Sequence, residues 1–224
     1  MWIVKLGGSL ADTMDLQSWL GVLARFGGGR VIIVPGGGPF ANQVRRAQER
    51  WGFGDHAAHR MALLAMEQYG LMMTGIRADL TPAASVDALR DVLGRGGVAV
   101  WLPSAMTADK REIQQSWELT SDSLAAWLAN ALKASLLLLV KSVDSAESEV
   151  SAVKLSARGW VDPLFPPMVA QGAYETRLLG KNQTELMERM LLTGMPAGTL
   201  VRTGAVEIVA DTQGYARPQH SKSP

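Results

Sequence analysis

The chain has 224 residues, with 22 Lys and Arg against 21 Asp and Glu for a formal net charge of +1, and no cysteine. Near-neutral charge argues against a protein that coats nucleic acid, and the missing cysteines exclude disulfides, thiolate metal sites and a cysteine nucleophile. An apolar content of 47% with 19% charged residues is that of a folded globule rather than a disordered chain. A chain of this length buries roughly 70% of its unfolded surface and needs no staple. The longest strongly apolar run, Leu136 to Val140, is far shorter than the roughly 18 residues of a membrane span. Met1 to Lys5 lack a basic segment followed by an apolar one, so no secretory signal is read there. These features predict a soluble, cytoplasmic protein without a membrane partner.

Trp2 to Leu6 is a short apolar run ended by Gly7-Gly8, the pattern of a buried strand. Leu16, Trp19, Leu20 and Leu23 follow at helical spacing. Val31 to Val34 is a second β-branched run, stopped by Pro35 and three glycines. Phe40, Val44, Ala47 and Trp51 predict the apolar stripe of a helix, and Leu63, Met66, Gly70 and Met73 that of a longer one starting near Asp55. Val98 to Leu102 and Leu136 to Val140 read as further buried strands, separated by a helix marked by Leu124, Trp127, Leu128, Ala131 and Leu132. In the less regular last third, Gln183 to Leu192 reads as helix and Thr199 to Val201 as strand. Strands that are continuously apolar and alternate with helices imply a mostly parallel sheet covered on both faces. The expectation is one α/β domain over residues 1–213, with lobes of about 1–135 and 136–213 and a flexible tail at 214–224. Ligands of such sheets bind outside the carboxyl ends of the strands, here the loops after residues 6, 34, 102 and 140.

Two of those loops are rich in glycine: Lys5-Leu6-Gly7-Gly8-Ser9 and Pro35-Gly36-Gly37-Gly38-Pro39. Glycines at a strand-to-helix turn let backbone N–H groups approach an anion. A lone pair of glycines is more often a tight turn, but two such loops on successive strands, one preceded by a lysine, point to phosphate. Gly36 to Ala41 fits the dinucleotide G-x-G-x-x-A pattern, yet the place of its acidic partner holds Asp55 at the start of helical sequence, which disfavours hydride transfer. A Walker loop is absent, since Gly180-Lys181 is followed by Asn182, and there is no G-x-S-x-G elbow. The third signal is Ser116 to Ser123. Capping of the following helix explains one of its hydroxyl or carboxylate side chains, not all of them. Asp122 is placed to orient lysines around a phosphate or to meet Mg²⁺.

These motifs, with Val143-Asp144, occur in the order seen in the amino acid kinase superfamily, which the chain resembles over about residues 2 to 203. That superfamily includes acetylglutamate, aspartate, uridylate and isopentenyl phosphate kinases. The chain is similar in particular to the aminomethylfuran phosphate kinases of methanofuran synthesis, in His59 to Tyr69, in Ser116 to Ser123, and from Asp162-Pro163 through Phe165-Pro166 to Gly180. The resemblance implies a three-layer αβα sandwich with a mostly parallel open sheet, and transfer of the γ-phosphoryl group of MgATP to a small-molecule phosphate. It also implies a homo-oligomer, at least a dimer. By the same resemblance Lys5 bridges the phosphates and Asp122 holds it in place. Gly7, Gly8 and Ser9 bind nucleotide phosphates, Gly36, Gly37 and Gly38 cradle the acceptor, and Thr120 touches it. Lys141, Ser142 and Asp144 form the nucleotide-side loop. Relatives usually read Thr-Asp-Val-Asp-Gly where this chain has Lys141 to Ser145, their usual hairpin is shortened at 146–159, and the usual second lysine is missing. Lys141 or Lys181 is expected to replace it.

Smaller signals have plainer readings. His56 and His59, three apart with no cysteine, do not make a metal site, and none is expected. His59 reads as a hydrogen-bonded histidine at the core edge, and the resemblance adds contact with the acceptor. Arg45 or Arg46 stands where it can reach an acceptor phosphate, and Glu67 or Glu118 where it can face an ammonium. The seven tryptophans and Met61, Met66, Met72 and Met73 are expected mainly in the core.

Overall fold

The structure is a computed structural model that describes residues 1–203 apart from Asp109 and Asp144. The expected tail at 214–224 therefore lies outside the described residues. In chain order the elements are β1 (Trp2–Leu6), a 3-10 turn (Gly8–Leu10), α1 (Asp15–Phe26), β2 (Val31–Pro35), α2 (Gly38–Trp51), α3 (Asp55–Ile76), β3 (Leu80–Ala83), α4 (Val86–Gly94) and β4 (Val98–Trp101). There follow α5 (Ser104–Thr107), α6 (Ser121–Leu132), β5 (Leu136–Lys141), β6 (Glu149–Ser151), α7 (Ala152–Ala157), α8 (Phe165–Val169), β7 (Glu175–Gly180), α9 (Thr184–Thr193) and β8 (Thr199–Arg202).

The strands form one sheet in the order β3-β4-β2-β1-β5-β7-β8-β6. All neighbours pair in parallel except β7 with β8, which run antiparallel. The chain builds outwards from β1 through β2, then crosses by way of α6 to begin the other half at β5. Such a reversal opens a crevice at the carboxyl edge of the central strands.

Both faces of the sheet are covered, which is why β1, β2 and β5 are apolar on both faces rather than at alternate positions, apart from Lys5 and Lys141 near the carboxyl ends of β1 and β5. Trp2, Val4 and Leu6 pack with α1 and α9 on one face, whereas Ile3, Leu137 and Leu139 pack with α6 on the other. α3 contributes to both clusters, Leu63 and Met66 to one and Tyr69 and Met73 to the other. Its predicted stripe is therefore the buried one. Among the described residues no helix is long and apolar enough to cross a membrane.

Two expectations need correction, and three strands went unread. α2 has the predicted helical form, but only Val44 of its predicted stripe is buried and Trp51 is 73% exposed, so this helix rides on the outside. Met61 is also exposed, and Trp117 and Trp160 are only partly buried. β3, β6 and β7 were not legible as strands. β3 carries Pro82 and two exposed positions because it is an edge strand, where proline is tolerated. β7 mixes Glu175 and Arg177 with its apolar residues, and β6 has three residues.

Candidate active site

Side chains alternate along a strand, so Lys5 follows Ile3 onto the α6 face of the sheet. Lys5 lies opposite Leu139 on the neighbouring strand. Lys141, two residues on, shares that face. α6 starts above them, and its first turn carries Asp122. The result is a triad: Lys5 Nζ lies 2.8 Å from Asp122 Oδ1 and Lys141 Nζ donates to Asp122 Oδ2 at 2.7 Å. The Lys5 approach is an ion contact that lies off the hydrogen-bonding direction. Lys5 and Asp122 are buried, and Lys141 is nearly so.

Burial by itself raises the Asp122 carboxyl, but the Lys141 and Lys5 ammoniums outweigh it and hold the group down at about 2. Burial and the Lys5 charge push Lys141 down to about 8 against the pull of Asp122. At neutral pH the triad therefore keeps a net positive charge at the carboxyl edge of the central strands. Of the two proposed replacements for the second lysine, Lys141 joins Asp122 and Lys181 does not. Lys181 lies 3.6 Å from Asp15, and its carbonyl accepts from Trp19 Nε1 at 2.7 Å.

Asp122 is not the cap of α6. The N-cap residue is Thr120, with no capping bond from its own side chain. The missing acceptor comes from Asp162, which sequence reasoning left without a role. Asp162 Oδ2 accepts from the N–H groups of Thr120 at 3.0 Å and Ser123 at 3.1 Å and from Thr120 Oγ1 at 2.8 Å; Oδ1 accepts from Ser123 Oγ. Burial, and then the nearby Asp122 charge, raise its pKa. Asp162 lies just before Pro163, a pairing that reads only as a turn in sequence.

The two glycine loops are in direct backbone contact. A Cβ on Gly8 would meet the Gly38 nitrogen at 2.6 Å, and one on Gly36 would meet the Gly8 nitrogen at 2.5 Å. Not every amide is free to bind an anion: Gly7 N–H donates to Val140 O at 3.1 Å and Gly36 N–H to Leu6 O at 2.9 Å. Those two N–H groups are removed from the expected phosphate donors. The amides of Gly8, Ser9, Gly37 and Gly38 stand at helix starts, where no intrahelical acceptor exists.

Two cavities meet at this double loop, both lined by Gly8 and Ser9. The smaller, about 210 Å³, is lined by Lys5, Gly7, Lys141, Ser142, Val143 and Trp160 among others. The other, about 320 Å³, has Gly37, Gly38, Arg45, His59 and Thr120 in its wall. Asp144 lies outside the described residues. Arg45 sits 3.8 Å from the centre of the Trp117 ring, and Trp117 Nε1 donates to Gln48 Oε1 at 2.6 Å, which fixes that wall. His59 is buried with no partner for Nε2, and burial lowers its pKa, so at neutral pH it is an uncharged imidazole. The expected hydrogen-bonded core histidine is thus half right: the ring is buried, but Nε2 has no partner. Glu67 and Glu118 line neither cavity. Glu67 accepts from Ser104 N–H at 2.9 Å and Glu118 from Gln114 Nε2 at 2.9 Å.

Among the described residues no three His, Asp or Glu side chains group to hold a metal. Asp122 is committed to two lysines and Asp162 to the start of α6. These carboxylates do not fit a protein-held magnesium ion; one arriving with a nucleotide has phosphate and water as ligands.

The family model for the amino acid kinase family matches residues 1–146. The chain is 29% identical over 184 residues to [5-(aminomethyl)furan-3-yl]methyl phosphate kinase of Methanocaldococcus jannaschii, covering 76% of this chain and 83% of that protein. Among solved structures it is similar to uridylate kinase from Archaeoglobus fulgidus, with a TM-score of 0.68 and 17% identity over 90% of this chain and 99% of the other. It is also similar to an isopentenyl phosphate kinase, with a TM-score of 0.60 and 16% identity over 90% of this chain and 100% of the other. The matched range 1–146 contains β1, β2 and α6, and the chain belongs to the amino acid kinase family, a family of phosphotransferases.

Proposed function

We propose that the protein transfers the γ-phosphoryl group of ATP to a small-molecule phosphate, an aminomethylfuran phosphate, to give its diphosphate. The observation that carries this reading is the pair of lysines held on Asp122, both in the wall of the smaller cavity beside the double glycine loop that the two cavities share. In it, the smaller cavity receives the nucleotide phosphates against Lys5, Lys141 and the Gly8 and Ser9 amides. The cavity of Gly37, Gly38, Arg45, His59 and Thr120 receives the acceptor. An oxygen of the acceptor phosphate attacks the γ-phosphorus, the bond to the β–γ bridging oxygen breaks, and ADP leaves with the electron pair. That attacking oxygen is already anionic, so no side chain has to remove a proton. The work of the protein is to align the two phosphates and to neutralise the charge between them, which Lys5 and Lys141 do. Lys141 also bears on the alternative of a nucleotide-binding protein without turnover: the altered 141–145 segment supplies a second lysine to the triad.

The choice of acceptor rests on the furan phosphate kinase relative. The test measures ADP release with aminomethylfuran phosphate, its dephosphorylated alcohol, uridylate, isopentenyl phosphate, aspartate and acetylglutamate. The furan phosphate is expected to have the highest kcat/KM. An amino acid or the dephosphorylated furan alcohol as best acceptor overturns the phosphate-acceptor reading, and uridylate ahead by tenfold overturns only the furan.

A further inference from the structure

We infer that Asp12 recognises an ammonium group on the acceptor, so that this cavity selects a small molecule carrying both an amine and a phosphate. Asp12 is the one carboxylate among the described residues that line the 320 Å³ cavity, and Arg45 is the one guanidinium. Neither makes an ion pair among the described residues. Arg45 faces the Trp117 ring instead. A cavity with one unpaired charge of each sign is matched by a ligand that brings both, and a purely anionic acceptor leaves Asp12 facing negative charge without compensation.

An independent sign of a ligand lies in the same wall: His59, which lines the cavity, is 5% exposed and its Nε2 has no partner. Leu63, Met66, Leu119 and Leu124 add an apolar lining suited to a ring. Asp12 is exposed at the mouth, so keeping it unpaired costs little until a ligand covers it. Glu67 and Glu118, the acids first considered for an ammonium, are spent elsewhere.

This inference rests on the proposed kinase reading, and the experiment separates the two. The full chain with MgATP is assayed on aminomethylfuran phosphate and on the analogue with methyl in place of aminomethyl. The wild type is expected to prefer the amine by about tenfold in kcat/KM, the size expected of a hydrogen bond to a charged group. Asp12→Asn is expected to bring the two substrates close to parity through KM for the amine. If Asp12→Asn keeps the wild-type preference, or slows both substrates equally, the Asp12 assignment fails while the kinase reading stands. If neither furan phosphate is turned over while another acceptor is, the furan reading fails, and if no acceptor is turned over, the kinase reading fails. Calorimetric titration of the amine phosphate without nucleotide then decides Asp12 alone: weaker binding to Asp12→Asn upholds it, and equal or no binding overturns it.

Discussion

Asp122 joins two ammonium groups that would otherwise repel each other beside the proposed phosphate site. Lys5→Met leaves Asp122 paired with Lys141, so the protein is expected to stay folded by circular dichroism. Loss of a donor that acts on the transferring group is expected to lower kcat on the order of 100-fold. Retention of more than about a tenth of wild-type kcat removes Lys5 from the transfer step. Asp122→Asn keeps the shape but leaves both lysines buried without a counter-charge. It is expected to cost about 3 kcal/mol of stability and to lower kcat per folded molecule far more than it weakens ATP binding. A melting midpoint that falls with unchanged activity per folded molecule restricts Asp122 to a structural role. The cap of α6 does not confuse this test, because Asp162 provides it.

At the scale of elements, the loops after β1 and β2 act as one unit because their backbones touch. Gly8→Ala or Gly36→Ala inserts a methyl into backbone that cannot yield cheaply, and a loss of about 1–3 kcal/mol is expected. Since the double loop forms part of both cavities, KM for nucleotide and acceptor should rise together. Gly52 is the control: it follows α2 with φ near 65° and no atom within 4 Å of a new Cβ. Gly52→Ala is expected to cost about 1 kcal/mol from the left-handed backbone alone and to leave kcat/KM unchanged. Steady-state kinetics beside denaturant unfolding distinguish the two cases. A rise in only one KM for Gly8→Ala shows that the loops move independently.

For the whole molecule, pH is expected to move stability and activity in opposite directions above pH 8. Lys141 has its folded pKa lowered to about 8, so between there and its ordinary value the unfolded chain binds more protons. Stability then rises with pH, by about 2 kcal/mol between pH 8 and 10. Above that the buried Tyr69 and Tyr174, whose pKa values are raised, reverse the trend as the unfolded tyrosines ionise. Over the same range Lys141 loses the charge that faces phosphate, so kcat/KM for nucleotide should fall. Lys141→Arg is expected to move that alkaline limb upward, and Lys141→Met to remove the rise in stability. A flat stability profile in the wild type between pH 8 and 10 contradicts the buried, charged Lys141. On the acid side the Asp122 contribution is present above about pH 4 and is lost as pH falls towards 2.

The central strands, the double glycine loop, α3 and α6 were legible in sequence because each is a local pattern: a β-branched run stopped by glycine, or an apolar repeat at helical spacing. The same is true of Lys5, next to the end of its strand, and of Asp122, in the first turn of its helix. By itself the sequence thus determined an α/β fold with a lysine and two glycine loops at the carboxyl edge of its central strands. It could not choose between Lys141 and Lys181, since both stand at the ends of parallel strands, and only the alternation of β5 and the position of α6 bring Lys141 to Asp122. Asp162 caps a helix 39 residues before it in the chain, and Trp117 becomes a cavity wall through Gln48 of α2. Asp12 gains its place by lining a cavity built from α2, α3 and the start of α6. Those assignments belong to the tertiary structure because a charge has meaning only with its neighbours. Folding decides which buried charges are paired, which amides are already used, and which groups are left for a ligand.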